Sequence, residues 1–108
     1  MTSYIDVSFN GLVQDPSVES AIHRWVARFE AMRIEVRWAG ITVEPSGRRR
    51  TLVCLTMALT DGTVRTAATI HTDVYVAVAD AFRAVRQQTL QPAPARGPST
   101  ARAMLRTA

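Results

Sequence analysis

The sequence predicts an α+β fold of order β-α-β-β-β-α, a four-stranded sheet with two helices packed on one face. Three observations lead there. Two segments carry apolar residues at helical spacing, each behind an aspartate suited to cap a helix. Four segments read as strands. Turn-forming residues such as Asn10-Gly11, Pro45-Ser46-Gly47 and Asp61-Gly62 separate them.

The first strand runs from Ser3 to Phe9, with Ile5, Val7 and Phe9 on one side and Tyr4, Asp6 and Ser8 on the other. Asp15-Pro16 then starts a helix, aspartate as N-cap and proline at the first helical position. Val18, Ile22, Trp25, Val26, Phe29 and Met32 form its apolar stripe, and Trp25 fits that stripe as a core residue. Arg24 and Arg28 lie four apart on the opposite side, with Ser17 and Ser20. The second strand, Ile34 to Glu44, changes phase: Val36 and Trp38 share one parity, Ile41 and Val43 the other. A bulge near Ala39-Gly40 would reconcile them. Core packing is the expectation for Trp38, and stacking on a base is its alternative. Arg48-Arg49-Arg50 lies in the connection that follows.

The third strand, Thr51 to Thr60, places Val53, Leu55, Met57 and Leu59 on its apolar face. Asp61-Gly62 between Thr60 and Thr63 signals a tight hairpin. The fourth strand, Thr63 to Ile70, is expected to put Val64, Thr66, Ala68 and Ile70 on one face and Arg65 on the other. The sheet face away from the helices would then be built from Thr56, Ala58, Thr63, Arg65, Ala67 and Thr69. Asp73 caps a second helix, Val74 to about Thr89, that buries Val74, Val78, Ala81, Phe82 and Val85 and exposes Asp80, Arg83, Arg86 and Gln87. Pro92 and Pro94 stop it. Residues 1–90 thus read as one α+β domain, and residues 91–108 as a disordered tail of Pro, Ala and Arg.

With 108 residues, 47% of them apolar, the chain can hold a core without metal or disulfide. A lone cysteine, no membrane-span-length apolar run and no basic-then-apolar start point to the cytoplasm, with no membrane partner. All thirteen basic residues are Arg. Ten of them face nine acids up to Leu90; the other three, Arg96, Arg102 and Arg106, follow with no acid. Arginine binds phosphate bidentately, which suits RNA, although a genome biased toward Arg and Ala would give the same composition.

The segment Asp73-Val74-Tyr75-Val76-Ala77-Val78, continued by Asp80-Ala81-Phe82-Arg83-Ala84-Val85-Arg86-Gln87-Gln88, resembles the last helix of the ribosome hibernation promoting factor and ribosome-associated inhibitor family. Glu44-Pro45 resembles that family's Glu-x-Pro. The resemblance spans about Ser3 to Leu90 and marks a short, divergent form. It implies a stress-response factor that binds the small ribosomal subunit through ribosomal RNA, occludes the path of tRNA and mRNA, and inactivates idle ribosomes. By position it implies RNA contact from Arg24 and Arg28 on the first helix and Arg83 and Arg86 on the second. Charge alone adds Arg48, Arg49 and Arg50. An open sheet edge would let the chain pair as a homodimer.

Catalysis and cofactors find no support in the residues. His23, His71 and Cys54 are too few and scattered for a metal site. Cys54 reads as a packed strand thiol. Asp61 and Asp73 fit a turn and a cap, and no Gly-rich phosphate loop is present. The expectation is a binding protein, not an enzyme, without cofactor. The rival is a protein-interaction or regulatory module that kept the fold and lost RNA binding. RNA binding requires the helix arginines to converge in one exposed patch; a protein-interaction module would offer an apolar one instead.

Overall fold

Asp15 and Asp73 start the two helices as their side chains require. The Asp15 carboxylate accepts the Ser17 amide at 2.9 Å, and that of Asp73 accepts the Tyr75 amide at 2.9 Å. In this computed structural model, which describes residues 4–90, the elements are β1 (Tyr4–Phe9), α1 (Pro16–Ala31), β2 (Val36–Pro45), β3 (Thr51–Leu59), β4 (Val64–His71) and α2 (Val74–Leu90). The segment 91–108, read above as disordered, lies outside the described residues.

The sheet order is β1-β2-β3-β4. β1 and β2 are parallel, with α1 as the crossover such a pair needs, and the other two pairings are antiparallel. The core is one cluster. It joins Val18, Ile22, Val26 and Phe29 of α1, Ala77, Val78, Ala81, Phe82 and Val85 of α2, and Val36, Ala39, Ile41, Val43, Val53, Leu55, Met57 and Leu59 of the sheet. Both helices therefore cover one sheet face, α1 over β2 and α2 over β3 and β4. Two side chains pin α2 along β4. The Thr69 hydroxyl donates to the Ala77 carbonyl at 2.6 Å, and the Gln88 amide donates to the Thr66 carbonyl at 2.8 Å.

Helix α1 ends without glycine. Ile34 donates to Phe29 and Arg33 to Glu30, the double bond of a Schellman motif, and Arg33 takes the left-handed position at φ 69°.

Sequence expectations for two strands are corrected. The β2 irregularity falls between Val36 and Trp38, not at Ala39-Gly40. Val36 and Ala39 thereby both face the core, and Trp38 turns to the open sheet face. There it lies over Gly40: a β-carbon at that position would be 2.3 Å from the indole. Glycine is what lets the ring lie flat, so Trp38 is half-buried on the sheet instead of core-packed.

The faces of β4 are also reversed. Arg65, Ala67 and Thr69 oppose the core residues Met57, Leu55 and Val53 on the helix side. Val64, Thr66, Ala68 and Ile70 lie exposed on the open face. The cause is turn length. A two-residue Asp61-Gly62 loop would pair Thr60 with Thr63. Instead Leu59 donates to the Thr63 carbonyl at 2.9 Å, which leaves a three-residue loop with Gly62 at φ 92°. That shifts register by one residue, and a one-residue slip exchanges the faces of a strand.

Candidate nucleic-acid interface

The geometry of the helix pair follows from one ring stack. Phe82 of α2 is fully buried. It meets Phe29 of α1 edge-on, with centroids 5.7 Å apart and planes at 76°. It also stacks on Trp25 of α1, at 5.7 Å and 9°. The Trp25 indole is half-buried: it packs against the core and lies along a groove at the surface.

Arginines gather around that ring. The Arg28 guanidinium lies over the indole, 4.7 Å from its centroid, and that of Arg83 is 5.6 Å from it. Both are within cation–π range. Trp25, Arg28, Ala31, Met32, Arg83 and Arg86 line a groove of about 490 Å³ between the helices. A smaller depression of about 200 Å³ lies between Ala21, Arg24, Trp25 and Arg28. Trp25 and Arg28 belong to both, so the four helix arginines border one continuous exposed surface. Arg83 also reaches Asp80 at 3.4 Å. With side chains 63% and 47% exposed, that pair is screened by solvent and restrains Arg83 little.

Arg48, Arg49 and Arg50 are elsewhere. They are exposed in the β2–β3 connection, where Ser46 donates to the Arg50 carbonyl and Arg49 stands at φ 56°. Thr51 pairs with both Pro45 and His71, so this loop is at the end of the sheet where α2 begins. The groove lies toward the other end: Arg86 is near the C-terminus of α2, and Thr89 lines a hollow with Thr60 and Asp61 of the β3–β4 turn. The structure thus brings together Arg24, Arg28, Arg83 and Arg86 and separates them from the triple-arginine loop.

Trp25 is the residue the sequence reading passed over. Its place on the apolar stripe concealed its position among the arginines. Arg28, expected opposite that stripe, instead flanks it: three residues on, it lies only about 60° from Trp25 around a helix of 3.6 residues per turn, and its guanidinium covers the ring. Among the described residues, the remaining reactive side chains build no second site. His23 is exposed, and His71 is an exposed acceptor for the Asp73 amide at 2.9 Å. Cys54 is half-buried on the open face opposite Thr42 and Ala68. Among the described residues no three His, Cys, Asp or Glu converge as metal ligands, and no helix is long and apolar enough to cross a membrane. In the β3–β4 turn the Asp61 carboxyl is held below its ordinary value, chiefly by the Thr63 hydroxyl and then by the Thr63 amide.

No protein-family model matches the sequence, and no match to a curated protein was found. Solved structures do share its architecture. One is the N-terminal domain of Protein Y from Thermus thermophilus, 17% identical, with a TM-score of 0.69 over 82% of this chain and 94% of that one. Another is a ribosomal subunit interface protein from Coxiella burnetii, 15% identical, with a TM-score of 0.68 over 82% of this chain and 99% of that one. These two neighbours share the fold of this chain, and both are of the ribosome hibernation promoting factor family that its second helix resembles in sequence.

Proposed function

We propose that this chain is a ribosome-associated factor of the hibernation type. The observation that carries the reading is the convergence of Arg24, Arg28, Arg83 and Arg86 around Trp25 on one exposed surface, in a chain with the fold of Protein Y. Phosphate is the ligand that several guanidiniums on two rigid helices suit best. In this reading the helix face docks on ribosomal RNA of the small subunit in the cytoplasm. The body of the domain then stands in the path of tRNA and mRNA and keeps idle ribosomes inactive. The mechanism is steric, without cofactor or catalysis. Arg48, Arg49 and Arg50, at the other end of the sheet, would reach a separate stretch of backbone.

The test is competition. Purified small subunits are loaded with initiator tRNA and a short mRNA, and the protein is titrated in at fixed ionic strength. Displacement of both ligands with a saturable midpoint is expected. Saturable binding without displacement would refute occlusion, and no binding at low salt would refute the ribosome reading.

A second reading, a protein-interaction module, draws on the open sheet face. There Tyr4, Val64 and Ile70 are 61%, 58% and 49% exposed, and Tyr4, Trp38, Ala58 and Val64 form one cross-strand row. This reading predicts salt-insensitive association that survives loss of the helix arginines. Pairing of two copies along an edge strand, β1 or β4, would instead show as a concentration-dependent doubling of mass in sedimentation.

A further inference from the structure

We infer that the Trp25 groove is a seat for one unpaired RNA nucleotide, its base on the indole and its phosphates on Arg83 and Arg86. This deepens the ribosome reading and rests on it.

The groove combines features that a plain phosphate site does not need. It is lined by an aromatic ring already engaged by a cation, with the Arg28 guanidinium 4.7 Å from the centroid. A guanidinium plane and a nucleobase compete for the same kind of surface, since both stack on π faces. An arriving base can therefore take the place of Arg28 on the ring, and Arg28 becomes free for the flanking phosphate. The ring is held in position before any ligand arrives. Trp25 stacks on Phe82, and Phe82 is fixed edge-on by Phe29, so little order is lost on binding. The volume of about 490 Å³ falls within the range of small-ligand sites, roughly 300–1,000 Å³. Ala31 and Met32 add apolar wall beside the ring, and Met32 is 40% exposed.

Charge selects among occupants. Three arginines border the groove and no acidic side chain lines it, which favours an anion. An acidic peptide would satisfy the arginines but leave the indole without a flat partner. A base-paired helix presents phosphates but keeps its base faces stacked inside. An unpaired nucleotide offers both the anion and the exposed π face. Recognition of this kind follows stacking, so the site should accept any of the four bases.

The test uses single-stranded RNA hexamers, abasic hexamers with the same number of phosphates, and a blunt RNA duplex. The protein carries Trp38→Phe, which leaves Trp25 as the sole tryptophan. Affinity is read by anisotropy of the labelled nucleic acid, and stacking by quenching of the Trp25 emission. The base-bearing hexamer should quench Trp25 and bind about 5- to 150-fold more tightly than the abasic one. Trp25→Ala should erase that preference and leave abasic binding in place, while Trp25→Phe should keep most of it. The comparison of base-bearing with abasic RNA needs no variant at Trp25, so it stands even if Trp25→Ala fails to fold. Equal affinity for the two hexamers, or tighter binding of the duplex, overturns the inference. If the hexamers bind equally while small subunits still co-sediment with the protein, the inference falls and the ribosome reading stands. If the base preference holds while subunits do not bind, the reverse is true.

Discussion

Replacing Phe82 by leucine should loosen core and groove together, because this one ring supports both. Phe82 has no exposed surface, touches Phe29 edge-on and carries Trp25 stacked on it, each at 5.7 Å. Truncation to alanine would cost about 3–5 kcal/mol, a large share of the roughly 5–15 kcal/mol that stabilises an ordinary domain. Leucine is more informative. It keeps most of the apolar volume, with a repacking cost below about 1.5 kcal/mol. What it loses is two aromatic pairs, each worth about 0.5–1.5 kcal/mol beyond the area they bury. A destabilisation of about 1–4 kcal/mol is therefore expected. The specific claim is that Trp25 and Phe82 are coupled. Urea unfolding followed by circular dichroism on four proteins, with Phe82→Leu, Trp25→Leu, both or neither, isolates the pair. A coupling of about 1 kcal/mol is expected. A coupling below about 0.3 kcal/mol, the level at which independent sites add, would show that the stack does not fix Trp25 and would remove the basis for a preformed groove.

Three further outcomes follow from local geometry. Arg33 occupies a left-handed conformation that costs a non-glycine residue about 1–2 kcal/mol, so Arg33→Gly should raise stability by about 0.5–1 kcal/mol after the added chain entropy of glycine; an unchanged or lower Tm would contradict the Schellman account. Gly40→Ala would drive a β-carbon to within 2.3 Å of the Trp38 ring. It should cost about 1–3 kcal/mol and shift Trp38 emission to the red in a Trp25→Phe background, and a neutral substitution with unshifted emission would mean that Trp38 does not lie on Gly40. Asp61 has its folded pKa lowered by the Thr63 hydroxyl and amide, so its contribution is present above the ordinary value of 3.8 and is lost as pH falls through the folded value. The stability gap between the native chain and Asp61→Asn should narrow on acidification below pH 3.8, and a gap that widens there would refute the assignment.

Much of the fold is legible in the sequence because its signals are local and redundant. Asp15-Pro16 and Asp73 mark helix starts by chemistry that needs no tertiary context, and Val53, Leu55, Met57 and Leu59 alternate without ambiguity. β4 is different. Val64-Arg65-Thr66-Ala67-Ala68-Thr69-Ile70 has an apolar residue at each end on one parity, and small residues on both. Its hydrophobic pattern is too weak to set register, so the turn decides, and one extra loop residue reverses the faces. Trp38 was misplaced for a related reason, since a bulge can sit at several points in the Val36–Gly40 stretch and only pairing with β3 fixes which. In the candidate site, the separate helix faces were legible from Arg24, Arg28, Arg83 and Arg86. Their meeting was not, because it depends on how α1 and α2 pack, and that is set by the Phe29, Phe82 and Trp25 rings. The separation of Arg48, Arg49 and Arg50 from the groove was hidden likewise, since it follows from which end of the sheet each loop occupies.

The most direct test of the central claim is co-sedimentation with purified small ribosomal subunits across a salt series. Three proteins are compared: the native chain, one with Arg24, Arg28, Arg83 and Arg86 changed to alanine, and one with Arg48, Arg49 and Arg50 changed to alanine. The account predicts saturable binding by the native chain, weakened by salt with a slope of roughly 0.7–0.9 per phosphate contact. It predicts loss of binding and of that slope in the four-arginine variant, and a smaller, partial loss in the loop variant. Native-strength binding by the four-arginine variant, or no binding by the native chain even at low salt, would contradict it.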